Sequence, residues 1–371
     1  MKVRTALGAL TIGLPVFLAA PAVAGVIGYS PNGTTLGGTI VPLVVAGAPP
    51  DSPADRVDPN LPTSPFSGVV SINIRYDGES FICSGTLVSK RDVVTAGHCV
   101  DTDGNGHIVD ISQPFSVSGK DVRVVFNSEP NPGDPGRAVI TATGVSMHPD
   151  YQGFGNCPYA TTTDFCVNDD IAVVHMGQDA PATAQIYKVY GGLIGTGALD
   201  NLVGYGRSGD GINGYTTGPD FRIKRSGQNI IDLFDANDET HFSSGPLEVW
   251  YSDFDGGGKD YFCTTPGIAV CTSVLANDKE ANIGGGDSGG PSFLFDGNEY
   301  LLFGNNTFGG TPKGAISGSF GTYFGGMLIA PYIDYLQGAT DGAIQVVPEP
   351  GTLLLVGLGF AGFATRRRKP A

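Results

Sequence analysis

The sequence has few basic residues for its size. Its 371 residues contain 21 Lys and Arg against 36 Asp and Glu, so the net charge is −15 at pH 7. A surplus of negative charge repels the phosphates of a nucleic acid, and we expect no nucleic acid partner. The same balance is compatible with a soluble exported protein.

Long helical periodicity and metal-type cysteine spacing are also missing. The chain has 57 Gly and 26 Pro, many short β-branched or aromatic runs, and no helical pattern until near Tyr332. This composition predicts an all-β fold with many turns. The six cysteines include no Cys-x-x-Cys pair. They therefore indicate disulfides in an oxidising compartment rather than a metal site.

The first residues have the pattern of an export signal. A basic start precedes an apolar stretch over 6–20, and the small-x-small sequence Ala-Val-Ala follows at 22–24. The apolar stretch is short and contains Pro15, which argues against a membrane-spanning helix. We expect residues 1–24 to be a cleaved signal peptide.

The last residues have a second targeting pattern. Pro-Glu-Pro at 348–350 is followed by an apolar run over 352–364 and a basic cluster at 366–369. This arrangement resembles the PEP-CTERM sorting signal, which implies recognition by an exosortase-type enzyme. The run is shorter than the roughly 20 residues of a stable span, and its basic end favours the cytoplasmic side. We predict that 346–371 forms a short transmembrane helix with transient inner-membrane retention, the alternative being a permanent anchor. Either way the protein is exported to the cell surface or beyond.

Three distant segments supply a histidine, an aspartate and a serine in that order. They are Thr95-Ala96-Gly97-His98-Cys99, Asp169-Asp170-Ile171-Ala172-Val173 and Gly286-Asp287-Ser288-Gly289-Gly290-Pro291. A serine hydroxyl becomes a useful nucleophile only beside a base, a carboxylate that orients the base, and donors for the oxyanion. In these motifs and their order the sequence resembles the trypsin/chymotrypsin-like serine protease family.

The resemblance extends over about residues 57–336 and implies a fold. The implied architecture is two antiparallel six-stranded β-barrels, chymotrypsin-like, with a short C-terminal helix. We predict a protease domain over 57–340, divided into barrel 1 (about 57–185) and barrel 2 (about 186–340). Residues 25–56 are then a propeptide or flexible lead.

The resemblance also implies the catalytic roles. His98 is the general base, Asp170 orients it, and Ser288 attacks the peptide carbonyl to form an acyl-enzyme. The backbone N–H groups of Gly286 and Ser288 form the oxyanion hole. Asp169 is an alternative acid, but Asp170 directly precedes the Ile-Ala pair.

In the family, the aspartate at the position of Asp287 pairs with a newly freed amino terminus. Val44 begins a matching Val-Val-Ala-Gly sequence without a preceding basic residue, whereas Val57 follows Arg56 and lies 26 positions before Cys83. We predict Val57 as the mature start. Alternatively, no such activation occurs and Asp287 has another partner.

The family register also indicates a substrate pocket. Asn282, six residues before Ser288, lies at its base, and no carboxylate occupies that place. The resemblance therefore favours neutral or apolar substrate side chains over Arg or Lys. A cysteine that the family often has near Gly284 is absent. The remaining pocket residues are Thr307, Phe308, Gly309 and Gly321.

The family implies one disulfide, Cys83 with Cys99. Cys157 and Cys166 are close in sequence and are expected to pair. Cys263 would then pair with Cys271.

A polar segment after the histidine motif resembles half of a calcium loop. Asp101, Asp103 and Asn105 alternate, Gly106 follows, and Asp110 offers a further oxygen. Oxygen ligands at alternate positions suit Ca²⁺. A structural calcium ion is one interpretation and a polar turn is the other; we expect no cofactor for catalysis itself.

These observations predict an exported serine endopeptidase that acts on proteins or peptides. The alternative class is a catalytically inactive, protease-like binding or surface-matrix protein. An esterase is a third reading, since Gly-x-Ser-x-Gly is present, but the hydrolases that use it have the order Ser, acid, His.

Overall fold

A computed structural model describes most of the chain between the two targeting segments. The signal region, the chain beyond 348, and the predicted calcium ligands Asp103, Asn105 and Asp110 lie outside the described residues. Within the described part, no helix is both long and apolar enough to span a membrane. The described ranges are 44–59, 61–76, 79–101, 121–127, 137–159 and 166–348.

The first half contains a closed barrel of six antiparallel strands in the order β1-β2-β3-β6-β5-β4. Alternate residues of a strand point to one face, and in β1 Val70, Ile72 and Ile74 all point into the barrel core and are fully buried. The strands are Val69–Tyr76 (β1), Glu79–Leu87 (β2), Asp92–Thr95 (β3), Asp121–Asn127 (β4), Arg137–Met147 (β5) and Ala172–Met176 (β6).

The second half is a larger sheet and one hairpin. The main path runs β11-β8-β14-β15-β16-β13-β12, and β7 pairs in parallel with β15 and β17. The strands are Lys188–Tyr190 (β7), Leu199–Gly204 (β8), Ser208–Asp210 (β9), Gly214–Thr217 (β10), Arg225–Ile230 (β11), Leu233–Ala236 (β12), Leu247–Asp253 (β13), Pro291–Phe295 (β14), Tyr300–Gly310 (β15), Tyr323–Leu328 (β16) and Val346–Val347 (β17). β9 and β10 form the hairpin.

The described residues also form two short α-helices. Helix α1 spans Tyr261–Thr264, and the Asp260 side chain accepts a hydrogen bond from the Cys263 N–H at its start. Helix α2 spans Ile333–Ala339 and buries Leu336. The predicted all-β class, the first barrel and the short C-terminal helix are thus confirmed.

A shared hydrophobic core joins the two halves. One cluster of buried side chains includes Val94 and Ile171 from the first half and Val203, Phe293 and Leu302 from the second. The loops that carry the histidine, aspartate and serine motifs all leave strands near this core. The three disulfides are the pairs expected from sequence: Cys83–Cys99, Cys157–Cys166 and Cys263–Cys271.

Candidate active site

His98 and Asp170 are held together by the pairing of two strands. β3 and β6 are antiparallel, with Thr95 opposite Ala172. His98 lies just after β3 and Asp170 just before β6. The Asp170 carboxylate is fully buried. Its Oδ2 lies 2.7 Å from His98 Nδ1, and its Oδ1 accepts the His98 backbone N–H at 2.7 Å. These two contacts orient the imidazole with Nε2 turned away from the carboxylate.

Asp169 is turned away from His98. Its φ of 61° is unusual for a non-glycine residue and reverses the chain direction at this point. Its carboxylate lies 3.2 Å from His148 Nδ1, and its N–H donates to the Tyr332 hydroxyl. His98 therefore contacts Asp170, whereas Asp169 lies against His148.

Two residues around the histidine have no signal in the sequence. The centroid of the Phe154 ring lies 4.9 Å from that of the His98 imidazole, and the two rings are tilted by 55°. The Asn305 amide donates to the carbonyl oxygens of Thr95 and Asp170, both at 3.3 Å, and so ties β15 to both catalytic loops. Both are ordinary residue types far from the motifs, so only the tertiary structure reveals their positions.

The loop of Ser288 is attached to the histidine side of the site. The Ser84 N–H donates to the Ser288 carbonyl at 2.8 Å, and the Ser84 hydroxyl donates to the Gly286 carbonyl at 2.7 Å. Cys99 Sγ lies 3.6 Å from the Ser288 carbonyl oxygen. Because His98 directly precedes Cys99, these contacts fix the backbone of the serine loop near the histidine turn. Ser84, like Phe154 and Asn305, was not found from sequence.

Two glycines give the serine loop its shape. Gly286 has a φ of 108° and Gly289 a φ of 75°, a region that side chains other than glycine rarely adopt. A Cβ at Gly289 would lie 2.0 Å from Thr95 Oγ1. Glycine is therefore required at 286 by the backbone conformation, and at 289 both by the conformation and by the close contact with β3.

Asp287 is fully buried behind the serine loop. Its carboxylate accepts the N–H groups of Gly206 at 2.8 Å and Gly284 at 2.9 Å. Burial raises the pKa of Asp287 to about 7, while the N–H groups of Gly206 and Val44 and the charge of Arg225 act in the opposite direction.

Val44 reaches this carboxylate because the following residue is paired into the second half. The Val45 N–H donates to the Asn282 carbonyl at 2.6 Å, and Val44 and Val45 are both buried. Val57, the predicted mature start, is instead 41% exposed and bridges to Arg225. Arg56 before it is buried, and its guanidinium binds the Asp51 carboxylate. The geometry thus favours Val44 over Val57 as the partner of Asp287.

The predicted pocket residues lie on two adjoining parts of the second half. Asn282 is buried, and its amide donates to Thr322 Oγ1 at 2.9 Å, next to Gly321. Gly321 has a φ of 83°, and the aliphatic part of Lys259 lies against it. The segment 307–309 lies on β15, where Phe308 is opposite Gly325 and Gly309 is opposite Phe324 on β16.

The described start of the predicted calcium loop belongs to the histidine turn. Asp101 is buried, and its N–H donates to the Gly97 carbonyl at 3.0 Å. The calcium interpretation of this loop stays a prediction, since its other ligands are not described. A nearby group of Cys83, His98 and Cys99 is close enough for a metal, but the two cysteines form a disulfide and offer no thiolate.

The closed barrel, the second sheet and the buried Asp–His pair beside a serine loop are the features expected of a trypsin-like serine protease domain. Residues 59–212 match the sequence model of the family described as Trypsin, which implies the chymotrypsin-like two-barrel fold. Residues 346–369 match the PEP-CTERM protein-sorting motif. The chain therefore carries a trypsin-family domain and a PEP-CTERM sorting motif.

One curated relative agrees with this class. The chain is similar to the serine protease Hayan of Drosophila melanogaster, with 30% identity over 126 residues. The aligned part covers 34% of this chain and 16% of that protein. The chain thus spans only a small part of the relative's length.

Proposed function

We propose that this protein is an exported serine endopeptidase that uses His98, Asp170 and Ser288. The observation that carries the proposal is the double contact of the buried Asp170 with His98, at 2.7 Å for both the ring and the backbone N–H. A carboxylate at Nδ1 keeps that nitrogen protonated and leaves Nε2 to accept a proton. His98 then removes the proton of Ser288 during attack and returns it to the leaving amine.

The backbone N–H groups of Gly286 and Ser288 would stabilise the tetrahedral oxyanion. Preformed donors of this kind lower the barrier because they need no reorganisation when charge develops. Ser84 supports this arrangement, since it holds the carbonyl oxygens of both residues. Protein or peptide substrates would lie in the cleft between the halves, with the pocket at Asn282 taking a neutral or apolar side chain.

We further infer that the mature enzyme begins at Val44. The carboxylate of Asp287 is buried and its pKa is raised, so it gains from a positive charge at the Val44 nitrogen. Cleavage between Leu43 and Val44 would create an ammonium group at this place and would order the serine loop. Leu43 is apolar and suits the neutral pocket proposed above, so the enzyme could perform this cleavage itself.

The sorting motif supports export and recognition by an exosortase-type enzyme, with transient retention at the inner membrane. The second candidate is an inactive protease-like binding protein at the cell surface. The endopeptidase is favoured because Asp170, Ser288 and Asp287 are all present in the arrangement described above. An inactive relative needs none of these residues.

The test is labelling of the exported mature protein with a fluorophosphonate probe, beside a Ser288→Ala control. We expect labelling in the first protein and none in the second. Amino-terminal sequencing of the labelled protein is expected to begin at Val44. Labelled protein that begins at Gly25 or Val57 would contradict the activation proposal alone, whereas a mature protein that resists labelling would contradict the endopeptidase proposal.

A further inference from the structure

A loop after β13 gathers three carboxylates around one point. The sequence Asp-Phe-Asp-Gly-Gly-Gly-Lys-Asp occupies 253–260, and ligand oxygens of Asp253, Asp255 and Asp260 all lie within 4.8 Å of one another. We propose that this loop binds a divalent cation, Ca²⁺, that supports the wall of the substrate pocket. The proposal does not depend on catalysis by Ser288.

The spacing of the oxygens suits calcium. Oxygen ligands lie about 2.3–2.6 Å from Ca²⁺, so two ligands of one ion are separated by at most about 5 Å. The three carboxylates satisfy this limit. Ca²⁺ also accepts irregular sets of six to eight oxygens, whereas Mg²⁺ requires a near-octahedral set at shorter distances. A loop with three consecutive glycines can supply further backbone carbonyls.

Among the described residues, the Asp255 carboxylate has an unsatisfied oxygen, which favours a bound cation. Its side chain is 5% exposed, and its Oδ1 is buried without a hydrogen-bond partner in the described part of the protein. Burial of a carboxylate oxygen without a donor is unfavourable. The negative charges of Asp253, Asp260 and Glu280 also repel the Asp255 carboxylate. A bound cation would satisfy this oxygen and remove the repulsion.

Two further buried carboxylates lie beside this loop, and no basic side chain of the described residues forms an ion pair with the group. Asp232 and Glu280 are both 2% exposed. Asp232 Oδ2 accepts the Asp253 N–H at 3.0 Å, and Glu280 Oε1 lies 3.5 Å from the Asp255 nitrogen. None of the ion pairs found among the described residues involves these five carboxylates. The aliphatic chain of the nearby Lys259 lies against Gly321.

The loop is directly connected to the substrate pocket. The Phe254 N–H donates to the Thr322 carbonyl and the Gly321 N–H donates to the Phe254 carbonyl, both at 2.8 Å. Glu280 is two positions before Asn282. A cation at Asp253 and Asp255 would therefore hold the backbone on both sides of Phe254 and, through it, Gly321 and Thr322.

A second acidic group serves as a matched control. Oxygens of Asp169, Asp238 and Glu239 also lie within 4.8 Å of one another, and Asp238 Oδ1 is likewise buried and unpartnered in the described structure. However, His148 lies 3.2 Å from Asp169 and Glu239 is exposed. This group has its own basic neighbour and fewer enclosed ligands, so we assign the ion to the loop after β13.

The experiment is calorimetric titration of CaCl₂ into chelator-treated protein that carries Ser288→Ala, so that self-digestion and activity play no part. Asp255→Asn keeps the shape of the side chain and removes its charge. We expect one equivalent of Ca²⁺ to bind, at least a tenfold loss of affinity in Asp255→Asn, and little change in Asp238→Asn. Asp103→Asn separates this site from the predicted loop after the histidine motif and is expected to bind as the parent does.

A thermal melt gives a second readout that does not require heat of binding. A ligand at a hundredfold excess over its Kd should raise the melting temperature by about 4 °C in a domain of this size. We expect this rise in the parent and in Asp238→Asn, and its absence in Asp255→Asn. The proposal is overturned if the parent neither binds Ca²⁺ nor gains stability, or if Asp238→Asn or Asp103→Asn, and not Asp255→Asn, loses the ion.

Discussion

The two halves of the molecule treat buried acids in different ways. In the first half, six buried aspartates each lie within 4.0 Å of a basic group. In the second half, eight buried acids lie in no ion pair among the described residues, and burial raises the pKa of each. The paired aspartates are Asp51, Asp58, Asp92, Asp121, Asp169 and Asp170. The others are Asp200, Asp232, Asp238, Glu248, Asp253, Asp255, Glu280 and Asp287.

The chain as a whole has more acidic than basic residues, 36 Asp and Glu against 21 Lys and Arg. In the second half, the eight buried acids have no basic side chain within ion-pair distance among the described residues. A positive charge for these acids would have to come from another source. Our proposals name two sources: a freed amino terminus at Asp287 and a cation at Asp255. The other buried acids of the second half would be neutralised by protonation.

The largest effect is expected from breaking the pair at the catalytic site. Asp170→Asn should keep the fold but lower kcat by about 10⁴-fold, because an amide favours the wrong tautomer of His98. Peptide hydrolysis by the mature enzyme measures it. Asp169→Asn is the matched control and should retain most of the activity. Equal losses in the two variants would contradict the assignment of the acid.

The second effect tests the buried pair that links the halves. Lys224 is fully buried, lies 2.9 Å from Asp58, and donates to the Phe66 carbonyl at 2.6 Å. Lys224→Met leaves Asp58 buried without its cation and should cost about 3–5 kcal/mol of unfolding free energy. Urea unfolding in the Ser288→Ala background measures this loss. Adding Asp58→Asn should recover part of it, and a loss below about 1 kcal/mol would show that water reaches the pair.

The third prediction concerns an acid without a partner. Burial and the charges of Asp169, Glu239 and Glu248 raise the pKa of Asp238 to about 8. A raised carboxyl pKa means that the folded state holds a proton that the unfolded state loses near pH 4. The resulting penalty is absent below pH 4 and grows as the pH rises towards 8.

Asp238→Asn removes this penalty. It should have little effect at pH 4 and stabilise the protein at pH 8 by at least about 1 kcal/mol, since each pKa unit corresponds to about 1.4 kcal/mol. Urea unfolding at the two pH values, with chelator present, measures the difference. Destabilisation at pH 8 would mean that Asp238 is ionised and held by a partner.

The smallest effect is expected at an exposed pair in the first half. Arg91 and Asp179 form an ion pair with both side chains more than half exposed. Solvent screens such pairs and they add little stability. Arg91→Ala should keep the melting temperature within about 1 °C of the parent. A fall comparable to that of Lys224→Met would remove the distinction between buried and exposed pairs on which the comparison depends.

Local sequence patterns predicted the fold class and the candidate catalytic residues of this protein. Glycine and proline content and short apolar runs predicted the all-β class, because strand formation and turns depend on neighbouring residues. The cysteine count indicated disulfides, and the family resemblance implied the pairing of Cys83 with Cys99. The three motifs indicated His98, Asp170 and Ser288 because each carries its local geometry in a few consecutive positions. The two ends of the chain are likewise read from short patterns of charge and apolar residues.

Tertiary structure alone decided the contacts between distant residues. The preference for Val44 over Val57 as the partner of Asp287 depends on a β-bridge between Val45 and Asn282. No local sequence pattern predicts this bridge. The positions of Ser84 and Asn305 depend on partners about 200 and more than 130 residues away, respectively. Asp253 and Asp255 look like an ordinary polar turn in the sequence. Only the fold shows that both carboxylates are buried, where their charges repel each other and a cation would stabilise them.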